Sequence, residues 1–191
     1  MTTIIFESHA TSVDNERGVA SGHRDVPLSP RGKREAGMLG ARYRQRRVDV
    51  VYCSDLRRAR DTAAIAFGEL GILILEDARL RELDYGEFAG RPRAEVGAER
   101  ARRIVEPFPG GESVSQAAER IRLFLLDVLQ RDKGETIVVI GHSATHFGLE
   151  HWLNGRPLAQ VVAAPWTDEP SRPYAVTPEA LERLARGEGS Q

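Results

Sequence analysis

The sequence predicts an α/β fold, a three-layer sandwich whose mostly parallel central sheet carries helices on both faces. Three observations lead there. With 191 residues the chain is long enough to cover a sheet on both sides and reads as one domain spanning 1–191. Short Val/Ile-rich runs at about 3–7, 48–53, 72–75 and 136–141 alternate with amphipathic stretches, the pattern of parallel strands joined by helices. Two histidines, His9 and His142, each follow such a run where it gives way to small polar residues, in Glu7-Ser8-His9-Ala10-Thr11-Ser12 and Gly141-His142-Ser143-Ala144. Ligands of an open α/β sheet bind beyond the carboxyl ends of its strands, so both imidazoles are placed to share one crevice. A neutral imidazole is a nucleophile near pH 7 and a protonated one is a cation, which suits chemistry on phosphate.

The helices are marked by their caps. Ser29-Pro30-Arg31-Gly32 opens one, with Ser29 as N-cap, Pro30 at the first position, and Ala36, Leu39, Gly40 and Tyr43 sharing a face. Glu112-Ser113 opens another, in which Ala117, Ile121, Phe124, Leu125 and Val128 recur at helical spacing until Arg131-Asp132-Lys133-Gly134 stops it. Pro165 to Pro178 holds four prolines and is expected to be extended, with Tyr174-Ala175-Val176 an edge strand before a short helix at 178–186. The last residues, 187–191, read as a frayed tail.

Composition narrows the class of partner. Hydrophobic residues at 41% and charged residues at 29% describe a globular domain too apolar for disorder. Twenty-seven Lys and Arg against 28 Asp and Glu give a formal net charge of −1, so no global field draws the chain to nucleic acid or an anionic membrane. A lone cysteine, Cys53, excludes an intramolecular disulfide and fits a reducing cytoplasm. Met1-Thr2-Thr3 has no basic leader, and no apolar run approaches the ~20 residues of a membrane span, so neither secretion nor insertion is expected. The oligomeric state, monomer or homodimer, is left open.

At a third strand-to-helix junction, Ser54-Asp55-Leu56-Arg57-Arg58-Ala59-Arg60 offers guanidinium groups for bidentate contact with phosphate. Competing site patterns fail by residue count. A cysteine-phosphatase loop needs an arginine six positions after Cys53, where Ala59 stands. Gly141-His142-Ser143-Ala144-Thr145 lacks the last glycine of a serine-hydrolase elbow, and no histidine follows His151. His142, His146 and His151 lack the glutamate spacing of a helical zinc site, so no metal and no cofactor is expected.

The two histidine segments, the Ser54–Ala59 block, and Leu80-Arg81-Glu82-Leu83-Asp84-Tyr85-Gly86 followed by Gly90 together resemble the histidine phosphatase superfamily, with its phosphoglycerate-mutase-like fold. Asn15, Gly22 through Leu28-Ser29-Pro30-Arg31-Gly32 and Pro109-Gly110-Gly111-Glu112-Ser113 extend the match in the family's order. The resemblance implies that His9 takes up the phosphoryl group as a phosphohistidine, and that Arg58 and His142 bind its oxygens. Ser12, Asn15 and Ser143 would add neutral hydrogen bonds, and Glu82 would protonate the leaving alkoxide. That last role requires a raised carboxyl pKa. The implied activity is metal-independent phosphomonoester hydrolysis of a small phosphorylated metabolite. Phosphoglycerate-mutase-type transfer and a catalytically weak anion-binding relative are the alternatives.

One departure stands out: Ser8 occupies the place of the family's usual arginine before the nucleophilic histidine. A lost charge-assisted bond costs ~2–3 kcal/mol of phosphate binding. Arg24, Arg57 or Arg60 are candidates to restore the charge, and His23 is a candidate for the pocket mouth. The stretch from Arg91 to Pro109, with Arg91, Arg93, Arg100, Arg102 and Arg103, borders the expected pocket either as a cationic rim or as a solvated helix.

Overall fold

Alternation along each strand decides the layering in the computed structural model, which describes residues 2–165 and 171–187. The elements in order are β1 (Thr3–Ser8), α1 (Val13–Glu16), α2 (Pro30–Tyr43), β2 (Val50–Cys53), α3 (Arg57–Phe67), β3 (Leu73–Glu76), α4 (Arg93–Arg100), α5 (Val114–Arg131), β4 (Thr136–Gly141), α6 (Ser143–Trp152), α7 (Leu158–Ala163), β5 (Arg172–Ala175) and α8 (Pro178–Arg186). The sheet order is β3-β2-β4-β1-β5. Its first four strands run parallel, and β5 pairs antiparallel with β1 at the edge.

Successive side chains of a strand point to opposite faces. Ile4, Phe6, Tyr52, Ile137 and Val139 therefore face one way, onto Ile121, Phe124 and Leu125 of α5, Leu149 of α6 and Leu184 of α8. Val51, Cys53, Val138 and Ile140 face the other way, onto Leu39 and Tyr43 of α2 and Ala59, Ala63 and Phe67 of α3. Phe124 is fully buried, so truncating it to alanine costs about 3–5 kcal/mol. A further apolar cluster packs Leu83, Tyr85, Val96 and Phe108 against the first turns of α5 and α6, above the carboxyl ends of the strands.

The helix caps fall where the sequence puts them. Ser29 accepts from the Gly32 amide, and Ser113 with Gln116 forms a capping box. The edge strand includes Tyr174 but covers Arg172–Ala175 and omits Val176. Pro173 is tolerated there because an edge strand needs no second ladder partner. Residues 166–170 of the expected extended stretch, and 188–191 of the expected tail, lie outside the described residues. Among the described residues no helix is long and apolar enough to cross a membrane.

Candidate active site

The two histidines meet because their strands are neighbours. β1 and β4 pair in register up to Ser8 opposite Gly141, and the His9 amide donates to the Gly141 carbonyl at 3.0 Å. The rings then lie with centroids 4.9 Å apart. Arg58, on the first turn of α3, reaches them from β2 and is only 2% exposed. Its Nε donates to His9 Nε2 at 3.3 Å, its Nη1 to the Arg24 carbonyl at 3.0 Å and its Nη2 to the Gly22 carbonyl at 2.9 Å. Gly32 lets the start of α2 lie flush on the loop after His9, since a Cβ there would come within 1.9 Å of the Thr11 carbonyl oxygen.

Glu82 completes the cluster from the irregular chain after β3. Its Oε1 accepts from the Leu83 amide at 2.8 Å and the Ala144 amide at 3.0 Å, while Ser143 Oγ donates to Oε2 at 2.8 Å. These groups line one cavity of about 510 Å³ together with Ser8, Asn15, Ser21 and Tyr85.

Protonation states follow from the partners. His9 Nδ1 lies 2.8 Å from the Ala10 carbonyl, which only accepts, so Nδ1 carries the proton and Nε2 keeps its lone pair. Burial, then the Arg58 charge, lower the His9 pKa to about 4. His142 is held well below the usual histidine value by burial, then Arg58 and His9. Among the described residues neither ring nitrogen of His142 has a hydrogen-bond partner, although both are buried.

Glu82 corrects an expectation. Burial alone would raise its pKa, but the Arg100 charge, the Leu83 amide, Ser143 and Arg58 together outweigh burial and lower it. In the ligand-free site it is a carboxylate rather than the neutral acid that alkoxide protonation calls for.

The remaining predicted residues divide. Asn15 and Ser143 line the cavity; Ser12 does not. Ser12 is fully buried as the cap of α1, its Oγ donating to Asn15 Oδ1 at 2.9 Å and accepting from the Asn15 amide at 3.1 Å. It therefore touches the site only through Asn15. Arg24, Arg57 and Arg60 do not line the cavity either; they pair with Asp14, Asp61 and Glu76 on its outside. His23 is not at the pocket mouth but behind Glu82, against its backbone carbonyl at 2.7 Å.

The cations that do face the cavity include Arg93 and Arg100. The Arg93 guanidinium has no hydrogen-bond or ion-pair partner among the described residues, and its charge acts on His9. Arg100 Nη2 donates to the Tyr85 hydroxyl at 2.8 Å. A signal for both was in the sequence. Arg93, Val96 and Arg100 stand at i, i+3 and i+7 of α4, and Val96 is fully buried, so that stripe faces inward while Arg91, Arg102 and Arg103 fall outside the cavity lining. No cluster of three or more His, Cys, Asp or Glu suited to a metal occurs among the described residues.

Comparison with known proteins gives the family. The model of the histidine phosphatase superfamily (branch 1) matches residues 4–169. The chain belongs to that superfamily. Phosphoserine phosphatase 1 of Hydrogenobacter thermophilus is 33% identical over 151 residues, 75% of this chain and 72% of that protein. The 2,3-bisphosphoglycerate-dependent phosphoglycerate mutase of Parvibaculum lavamentivorans is 33% identical over 175 residues, 84% of this chain and 83% of that protein. Among solved structures, mycobacterial glucosyl-3-phosphoglycerate phosphatase in complex with VO3 superposes with a TM-score of 0.77, at 24% identity, covering 85% of this chain and 87% of that one, a likeness of fold.

Proposed function

We propose that this chain is a phosphomonoesterase that hydrolyses a small phosphorylated metabolite through a phosphohistidine on His9. The observation that carries the reading is the His9 ring itself: one nitrogen anchored to the Ala10 carbonyl, the other presenting its lone pair beside the buried Arg58. In this mechanism Nε2 attacks phosphorus and the ester P–O bond breaks. Arg58 and His142 hold the equatorial oxygens, and Asn15 and Ser143 add neutral hydrogen bonds, so catalysis rests on positioning and charge stabilisation. Glu82 gives the leaving alkoxide its proton and takes one back from the water that cleaves the phosphohistidine. The dianion of the substrate raises the Glu82 pKa on arrival, because a like charge nearby favours the neutral acid. Arg93 supplies the cation missing at Ser8, and with Arg100 it favours substrates bearing a second anionic group.

A mutase-type reading is favoured by the equal identity to the Parvibaculum lavamentivorans mutase. It differs only in whether a second substrate hydroxyl or water receives the phosphoryl group. Both are tested by rapid quenching with labelled phosphoserine and phosphoglycerate, with and without a chelator. Hydrolysis through an acid-labile, base-stable adduct that survives chelation is expected. An acid-stable adduct, or activity restored only by a divalent ion, would sink the mechanism; phosphate binding without turnover would leave an anion-binding relative.

A further inference from the structure

We propose that His23 is a positioning residue, the middle of a three-residue strap, Gly22 to Arg24, that ties Arg58 to the backbone of Glu82. The inference rests on the phosphatase reading and assigns a part to a side chain that does not line the cavity. Both ends of the strap accept from the same guanidinium, Gly22 through its carbonyl at 2.9 Å and Arg24 through its own at 3.0 Å. Between them the His23 ring crosses to Glu82, and because a carbonyl only accepts, the 2.7 Å contact makes Nε2 the protonated nitrogen. Gly22, at φ +54°, supplies the left-handed turn that the strap needs.

What the contact controls follows from peptide planarity. The Glu82 carbonyl and the Leu83 N–H belong to one rigid plane, so fixing the oxygen fixes the direction of the hydrogen. That N–H donates to Glu82 Oε1 at 2.8 Å. Residues 81–85 form no helix or strand, so no ladder orients this plane. Two side chains do: His23, and Arg120, whose Nη2 donates to the same carbonyl at 3.0 Å. Arg120 is itself braced by Glu112; on the His23 ring, Nδ1 lies 3.6 Å from Asp84, and Nε2, beside the Glu82 carbonyl, lies 4.0 Å from Glu112. His23 joins this clamp by a hydrogen bond to the loop that carries the Arg58 contacts.

The test compares His23→Ala with His23→Gln, whose amide nitrogen reaches about as far as Nε2. His23→Ala is expected to lower kcat on alkyl phosphates by roughly 10-fold, with KM within about twofold and p-nitrophenyl phosphate within about threefold, because only poor leaving groups need the aligned acid. By carbon-13 NMR of the ligand-free protein, the Glu82 carboxyl should titrate at higher pH in His23→Ala than in the wild type. His23→Gln should restore both quantities. Equal losses on the two esters, an unmoved Glu82 titration, or no recovery with glutamine would each overturn the strap. Should the wild type turn over neither ester, the phosphatase reading fails, and the Glu82 titration then decides the strap by itself.

Discussion

At the end of β1, His9 has both ring nitrogens engaged, one by the Ala10 carbonyl and one by Arg58. At the end of β4, 4.9 Å away, His142 is buried, and among the described residues neither nitrogen has a hydrogen-bond partner. The first ring is fixed in one tautomer with its lone pair directed, which is the state a nucleophile needs before any substrate arrives. The second bears a desolvation cost of about 1–3 kcal/mol per unmet polar group, which a bound oxyanion would relieve at its N–H. On the proposed mechanism the neighbouring strand ends separate bond-making from ligand-holding, and substitutions at the two should fail in different ways.

The largest effect is expected at His9. His9→Ala should lower kcat by about 10⁴-fold or more and abolish the acid-labile adduct, checked by single-turnover quenching. Retained adduct would erase the distinction between the two rings. Next comes Glu82→Gln, which should slow alkyl phosphates by about 10²–10³-fold and p-nitrophenyl phosphate by less than about 10-fold. His142→Leu should weaken vanadate binding by about 10- to 100-fold while leaving the ligand-free melting temperature unchanged or higher, because it removes unmet polar atoms from the interior. A lower melting temperature would mean that His142 supports the fold after all.

Acid should separate the rings from the carboxylates. A histidine whose folded pKa is depressed contributes stability that is full above its unfolded value near 6.5 and is lost as pH falls toward the folded value, about 4 for His9. Glu82, also depressed, loses its contribution only below its ordinary 4.5. His146 has the same downward shift as His9, so the informative quantity is a difference. Between pH 6.5 and 4.5 the melting temperature of His9→Asn should fall less steeply than that of the wild type. The smallest effect concerns Ser8. Ser8→Arg should tighten vanadate binding by about 10-fold or less, and Arg93→Ala should weaken it, whereas alanine at Arg24, Arg57 or Arg60 should change it by less than about twofold.

The strands and caps were legible because their signals are local: period-two alternation in Ile137–Ile140, a serine ahead of Pro30, another ahead of Val114. His9 and His142 were legible from position, each just beyond a strand, whereas Arg58 was singled out from its neighbouring arginines by the family resemblance. The cations of α4 needed a different signal, the helical spacing of Arg93, Val96 and Arg100. On α3 only one of Arg57, Arg58 and Arg60 can share the inward face with Ala59 and Thr62, and the others turn to Asp61 and Glu76. The replacement proposed above, Arg93, comes from α4, across many residues of chain. The charge state of Glu82 was hidden for a similar reason, since it is set by Arg100 and by Ser143 in α6, neither of them near it in sequence.

Arg58 has five N–H groups, and three are already spent on His9, Gly22 and Arg24. In the proposed mechanism the bond to His9 differs from the other two, because it uses the very electron pair that attacks phosphorus. As the P–N bond forms, the pair is withdrawn and the Arg58 Nε–H is set free beside the transferring group. A donor occupied in the resting protein thus becomes available only along the reaction coordinate, where it favours the transition state over the bound substrate. The guard on the lone pair and the stabiliser of the developing charge are one hydrogen atom, handed from one partner to the next.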